Sequence, residues 1–184
     1  MEEEIQFLLD NTEEQMQQGI AHLEKSLATI HAGKASPSML LGVMVDYYGS
    51  QTPLDQVASI NTPDAQTIRI QPWEKPLIPS IEKAILIANL GFTPMNNGEQ
   101  VIITIPMLTG ERRQELVKMA KSYAEKSKIS IRNMRRDALD GLKKIELSDD
   151  QKKDVEAEIQ EITDKFITKT ETLFKEKETE ITTV

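Results

Sequence analysis

The chain has no cysteine and only two histidines, His22 and His31, in 184 residues. The first absence excludes a disulfide scaffold, a thiolate zinc site and a cysteine nucleophile. The second leaves almost no material for a multi-histidine metal centre. Aromatic residues make up 4% of the chain and tryptophan occurs once. No apolar run approaches the roughly 18 residues that a membrane span requires, so no membrane partner is expected. The start, Met1-Glu-Glu-Glu4, lacks the positive charge of a secretory n-region and is too acidic for a transit peptide. A soluble, cytoplasmic protein is expected. A Walker loop, a G-x-G-x-x-G and an H-E-x-x-H are also absent, and neither enzymatic activity nor a cofactor is expected.

Charge is present in quantity but unevenly sorted. The net charge is −8 and the isoelectric point near 4.9, which as an average speaks against nucleic-acid binding. Yet 11 of the 22 basic residues fall within 112–144, against only four acids there. The flanking segments 1–30 and 145–184 are both strongly acidic. Such a chain is sorting charge by surface.

Periodicity organises the two ends of the chain into helices. Ile5, Leu9, Thr12, Met16, Ile20, Leu23, Leu27 and Ile30 recur at gaps of three and four, and His31-Ala-Gly33 supplies a stop. Residues 111–145 repeat the pattern with Leu116, Ala120, Tyr123, Ser127, Ile131, Met134, Ala138, Leu142 and Ile145, and Thr109 is a candidate N-cap. Ser148-Asp-Asp-Gln151 has the spacing of a capping box and opens a third helix with Val155, Ile159, Ile162, Phe166 and Leu173 on one stripe. Lys169 and Glu176 fall on that stripe, which predicts fraying of the last two turns. The paired acids Asp149-Asp150 belong to a first helical turn, where they complement the dipole.

The middle, 34–106, holds all eight prolines. Val43–Tyr48, Thr67–Ile70 and Gln100–Ile105 read as strands, Asn97-Gly98 as a turn, and Pro79–Leu90 as a helix with Gly91 just past its end. Tyr47-Tyr48 suits a strand pair with one ring in the core, base stacking being the alternative. Trp73 is expected to cover the core of this segment, and His22 to be structural.

Helices of roughly 30–35 residues are each about 45–50 Å long, and matched one-sided stripes pack best as a bundle. The fold predicted is α+β: a long antiparallel three-helix bundle from 1–30 and 107–184, with a small α/β domain, 31–106, inserted between helices one and two. The crossings, His31, Ala32 and Gly33 on one side and Ile105, Pro106, Met107 and Leu108 on the other, look like a hinge, a rigid elbow being the alternative.

On a wheel of about 100° per residue, Lys128, Lys121, Arg132, Arg135, Lys143, Lys118 and Arg136 share an arc of about 100°, interrupted only by Glu125 and Leu139. The apolar stripe lies on the far side, where acidic neighbours would reach the arc poorly. Its densest part, Arg132-Asn-Met-Arg-Arg136, is arginine, whose planar fork suits phosphate oxygens. Two uses stand: a solvated face paired with the acidic helices, or a contact for nucleic-acid phosphates. An adaptor gripping proteins along the bundle would rest on Leu139. An RNA-processing enzyme would need clustered acids, bases or metal ligands that the sequence does not supply.

Several stretches are specific in themselves: Gly33-Lys-Ala-Ser-Pro37, Val45-Asp-Tyr-Tyr-Gly49 with Thr52-Pro-Leu54, Glu82-Lys-Ala-Ile85, Leu90-Gly91, Glu111-Arg-Arg113 and Ile131-Arg-Asn-Met-Arg-Arg-Asp137. In this order and spacing, over the whole chain, the sequence resembles the ribosome recycling factor family. The resemblance implies an L-shaped molecule with a β/α/β sandwich-like small domain. It also implies a monomeric translation factor in protein biosynthesis that binds the post-termination ribosome at the rRNA of the large subunit. With elongation factor G, which hydrolyses the GTP, such a factor splits the ribosome into subunits while its small domain swings on the hinge. Arg132 and Arg135 become the central rRNA contacts, with Arg113 and Arg136 beside them and Lys128, Lys121, Lys118, Arg112 and Lys34 completing the interface. Two departures stand out. The family's Arg-Thr-Gly-Arg-Ala is His31-Ala-Gly-Lys-Ala35 here, exchanging a permanent fork for an imidazole and a point charge. Gly110 replaces an acidic residue, which predicts a loosely held start to the second long helix.

Overall fold

A computed structural model describes residues 2–183. In chain order the elements are α1 (Glu2–Ala28), a 3₁₀ turn (Pro37–Leu40), β1 (Met44–Tyr47), β2 (Ser50–Pro53), the single turn α2 (Leu54–Val57), β3 (Ala58–Asp64), β4 (Thr67–Pro72), a second 3₁₀ turn (Lys75–Leu77), α3 (Ile78–Ile87), β5 (Pro94–Asn96), β6 (Val101–Thr104), α4 (Gly110–Leu142) and α5 (Asp149–Thr182). They form two compact units, one from the segments up to Ile30 and from Gly110 onward, the other from His31–Thr109.

The first unit is a three-helix bundle. Leu9 of α1 meets Ala138 and Leu142 of α4 and Val155 and Ile159 of α5 in one cluster. Met16 and Ile20 meet Ile131 and Phe166 in the next. As α1 advances, its partners therefore retreat along α4 and advance along α5, so α1 runs antiparallel to α4 and parallel to α5. The polar rim keeps the same register: Lys165 Nζ donates to Glu13 Oε1 at 2.7 Å and Lys169 Nζ to Gln17 Oε1 at 3.2 Å.

Local chemistry sets the helix ends. Ser148 accepts from Gln151 N while its own N–H donates to Gln151 Oε1, closing the expected capping box. α1 stops earlier than His31-Ala-Gly33 suggested. The amides of Thr29 and Ile30 bond three residues back, to Ser26 O and Leu27 O, which tightens the last turn. α4 starts at Gly110 itself.

The expected fraying of α5 does not occur, because the helix runs to Thr182 and Ile181 is fully buried. Lys169 and Glu176 are exposed, and the buried register passes instead through Thr163 and Thr170. Their hydroxyls donate to Ile159 O and Phe166 O, so a polar residue sits in the core without an orphaned group. The Lys169 ammonium lies 5.5 Å from the Phe166 ring centre, partly covering the core from the rim.

In the second unit, β3-β4-β6-β5 form an antiparallel four-stranded sheet and β1-β2 a separate hairpin. α3 packs on β1, β5 and β6, giving the β/α/β layering. Its core includes Val45, Leu54, Ile68, Ile70, Ile81, Ile85, Val101 and Ile103. Pro79 stands in the first turn of α3, and the Asn97 side chain accepts from the amides of Glu99 and Gln100 in the β5–β6 turn. β3 carries Pro63 and a register shift between Asn61 and Asp64, both tolerated because it is an edge strand.

Both chain segments that enter and leave this unit are tied to one turn. Ala35 N donates to Ala65 O and Ile105 N to Gln66 O, each at 2.7 Å. Asp64 braces the turn by accepting from Gln66 N, and hydrogen bonds from Gln66 and Thr67 hold its carboxyl below the usual carboxylate range. Ile105, expected in a crossing, is buried in the core of this unit instead. The boundary expected after 106 falls after Thr109. One reason is local: a Cβ at Gly33, where φ is +76°, would stand 2.6 Å from Leu108 Cγ. Gly33→Ala is therefore expected to lower stability by about 1–2 kcal/mol, from left-handed strain plus the clash. Denaturant unfolding read at the second unit checks this, and an unchanged midpoint would refute it.

Candidate nucleic-acid interface

The basic residues of α4 are displayed by helical periodicity, and the buried residues fix its orientation. Leu116, Ala120, Ala124, Ser127, Ile131, Ala138 and Leu142 are buried. With α1 and α5 both packing on it, α4 buries a wide face. Ala124 replaces the half-exposed Tyr123 as an inward residue, turning the buried face toward one edge of the predicted basic arc.

That edge contains Lys128. Its side chain is only 17% exposed, and its ammonium lies 3.1 Å from Glu171 of α5 and 3.6 Å from Glu125. The expectation that neighbouring helices reach the arc poorly fails here, and Lys128 serves the bundle. Arg113 is committed in part as well, since its Nη1 donates to Thr182 O at 3.4 Å. A cation at the end of α5 complements the helix dipole. Arg112 pairs with Glu115 at 2.7 Å. Lys143 pairs with Asp140 at 2.8 Å. That hydrogen bond and charge pairing hold the Asp140 carboxyl below its usual range and the Lys143 ammonium above its own.

The remaining cations are available. Lys118, Lys121 and Arg132 are exposed and Arg135 is half-buried. Among the described residues none of the four has a hydrogen bond or ion pair within the chain. Arg136 is exposed and donates to Asn133 Oδ1 at 3.3 Å. From Lys118 to Arg136 this face runs about 27 Å along the helix. Lys34 is exposed on the other unit. Leu139, the one apolar interruption, is half-buried against the Leu9–Leu142–Val155 cluster, so it covers core and offers no grip for a protein partner. Among the described residues no three carboxylates or imidazoles are placed to hold a metal, and no helix is long and apolar enough to cross a membrane.

A second constellation escaped the sequence reading. Trp73, expected over a core, is 68% exposed. Tyr47 packs partly on the core as expected, while Tyr48 is 77% exposed. Both phenols donate to one carboxylate: Tyr47 to Glu74 Oε1 at 3.2 Å and Tyr48 to Glu74 Oε2 at 2.8 Å. Only the fold of β1 against the end of β4 brings 47–48 to 73–74. The adjacent pairs Tyr-Tyr and Trp-Glu were the sole signal in the chain.

Fold and face together define a helical-bundle protein with one open cationic ridge and an inserted antiparallel sheet domain. Residues 23–182 match the family model "Ribosome recycling factor". The ribosome-recycling factor of Christiangramia forsetii is 55% identical over 99% of this chain and 100% of its own length. That of Bacillus subtilis is 47% identical over 95% of this chain and 96% of its own. A solution structure of the ribosome recycling factor superposes with a TM-score of 0.82 at 33% identity, covering 98% of each chain. The T. thermophilus factor, in a structure with E. coli elongation factor G bound to the E. coli post-termination complex, superposes at 0.63 with 44% identity over 96% of this chain and 98% of that one. The chain belongs to the ribosome recycling factor family.

Proposed function

We propose that this chain is a translation factor that binds the post-termination ribosome and, together with elongation factor G, splits it into subunits so that ribosomes are recycled. It acts as a cytoplasmic monomer, and the GTP is hydrolysed by the partner. The observation that carries the reading is the open ridge of α4: among the described residues of this acidic chain, Lys118, Lys121, Arg132 and Arg135 have no ion pair. Cations left without internal partners on a net-negative protein mark a surface for an anion of another molecule. The large-subunit rRNA is that anion, with Arg132 and Arg135 central, Arg136, Lys121 and Lys118 beside them, and Arg112, Arg113, Lys128 and Lys34 peripheral. The protein acts by binding and displacement.

The test is co-sedimentation with ribosomes across a salt series. Each phosphate contact releases condensed counterions, so affinity should fall steeply and log-linearly with salt. Binding indifferent to salt would remove the ridge from the mechanism.

A further inference from the structure

The chain contains a half-buried carboxylate that is held by aromatic hydroxyls and has no cation. Glu74 follows β4 and is half-buried. Its two oxygens accept from Tyr47 and Tyr48, and no ammonium or guanidinium among the described residues pairs with it. The next residue, Lys75, reaches away to Glu99 at 3.5 Å. The two tyrosine rings meet edge to face with centroids 4.7 Å apart. Beside them opens a cavity of about 160 Å³ lined by Tyr47, Trp73 and Glu74, with Val57 and Leu77 among its walls.

A carboxylate that merely clipped the β1–β2 hairpin in place would need one phenol, and that from the packed ring, Tyr47. Tyr48 instead keeps most of its surface in solvent, while its φ of +50° and that of Gly49 at +85° belong to the two-residue turn joining β1 to β2. Exposed rings beside an unpaired negative charge form the arrangement that attracts cations, since ring faces and carboxylate act with the same sign. Asp55 lines a neighbouring cavity together with Trp73, and residues 31–109 carry six acids against four basic residues. Stacked nucleic-acid bases would bring phosphates to this acidic surface, so charge selects against RNA. The hydrogen bonds and charge of Glu74 hold both phenols above their usual range, keeping them protonated donors.

We propose that Tyr47, Tyr48, Trp73 and Glu74 form a receptor for one cationic side chain, lysine or arginine, presented by a partner protein. The cation enters beside Trp73, its methylenes lie against Val57 and Leu77, and its charged head completes the coordination of Glu74. This site takes the opposite charge to the α4 ridge and lies on the other unit, so the two test independently.

Trp73 is the chain's only tryptophan, and its fluorescence reports the site in the full-length protein. The probe is a short glycine peptide carrying two arginines, compared with its citrulline counterpart. A saturable change is expected with the arginine peptide, roughly tenfold weaker with citrulline, and lost in Glu74→Gln. Tyr48→Ala, which removes a solvent-exposed ring and leaves the core intact, should weaken binding several-fold, and it serves if Glu74→Gln fails to fold. No saturable response, an equal response to citrulline, or full binding by Tyr48→Ala would overturn the proposal. So would displacement of the peptide by single-stranded oligouridine at Trp73, which would assign the surface to RNA.

Discussion

Replacing Arg132 and Arg135 together by alanine is expected to weaken ribosome binding by about 2–6 kcal/mol, each guanidinium contributing about 1–3 through charged hydrogen bonds. The two stand three residues apart on one side of α4, and neither has a hydrogen-bond or ion-pair partner among the described residues. Removing them therefore breaks nothing internal, unlike removal of Lys128, which would leave Glu171 without its cross-helix cation. Arg135 is half-buried, so its aliphatic stem contributes some packing. The measurement is accordingly paired: pelleting with ribosomes at fixed salt, and denaturant unfolding of the free protein. The expected result is a large loss of binding with at most about 1 kcal/mol lost from stability. Wild-type affinity in the double variant would remove these arginines from the interface. An unfolded variant would call for glutamine at both positions, which retains length while losing charge.

The bundle was legible because its stripes are long. Seven of the eight positions read from residues 5–30 are buried, and Ile5 is half-buried. The stripe of α5 was misread at Lys169 because a buried threonine satisfied by the carbonyl four residues back looks polar in sequence and behaves as core. The edge of the ridge was misjudged for a geometric reason. A helix packed on two neighbours buries a wider arc than one apolar stripe indicates, and Lys128 lies inside that margin. In the small unit, β4, β6 and α3 carried their own patterns. β2, β3 and β5 are edge strands containing Pro53, Pro63 and Pro94, and their pairing comes from the neighbouring strand. The Glu74 constellation joins residues 26 and 27 positions apart, a pairing that no local pattern encodes.

Cross-linking the small unit to the bundle is expected to leave ribosome binding nearly intact and to abolish subunit splitting. The β3–β4 turn anchors both crossings. Ala35 and Ile105 are both bonded to it, so the small unit is rigid up to those residues. Ile30 is buried in the bundle unit at the other end of the first crossing. The span left to reorient is short: His31, Ala32, Gly33 and Lys34 on one strand, Pro106, Met107, Leu108 and Thr109 on the other. Gly33 supplies a left-handed residue there, with φ +76°. A bundle held by its arginine ridge can pass on a push from elongation factor G only if the unit that receives the push moves about these residues. Binding through α4 needs no such motion. The absence of native cysteine lets one cysteine be introduced on each unit and joined by a bifunctional reagent, with the reduced form as control. Pelleting reads binding, and light scattering in the presence of elongation factor G and GTP reads splitting. Normal splitting by a fully cross-linked sample would make the crossings incidental. Loss of binding as well would move their role from the displacement step to docking, because the two units would then have to adjust before the ridge could engage.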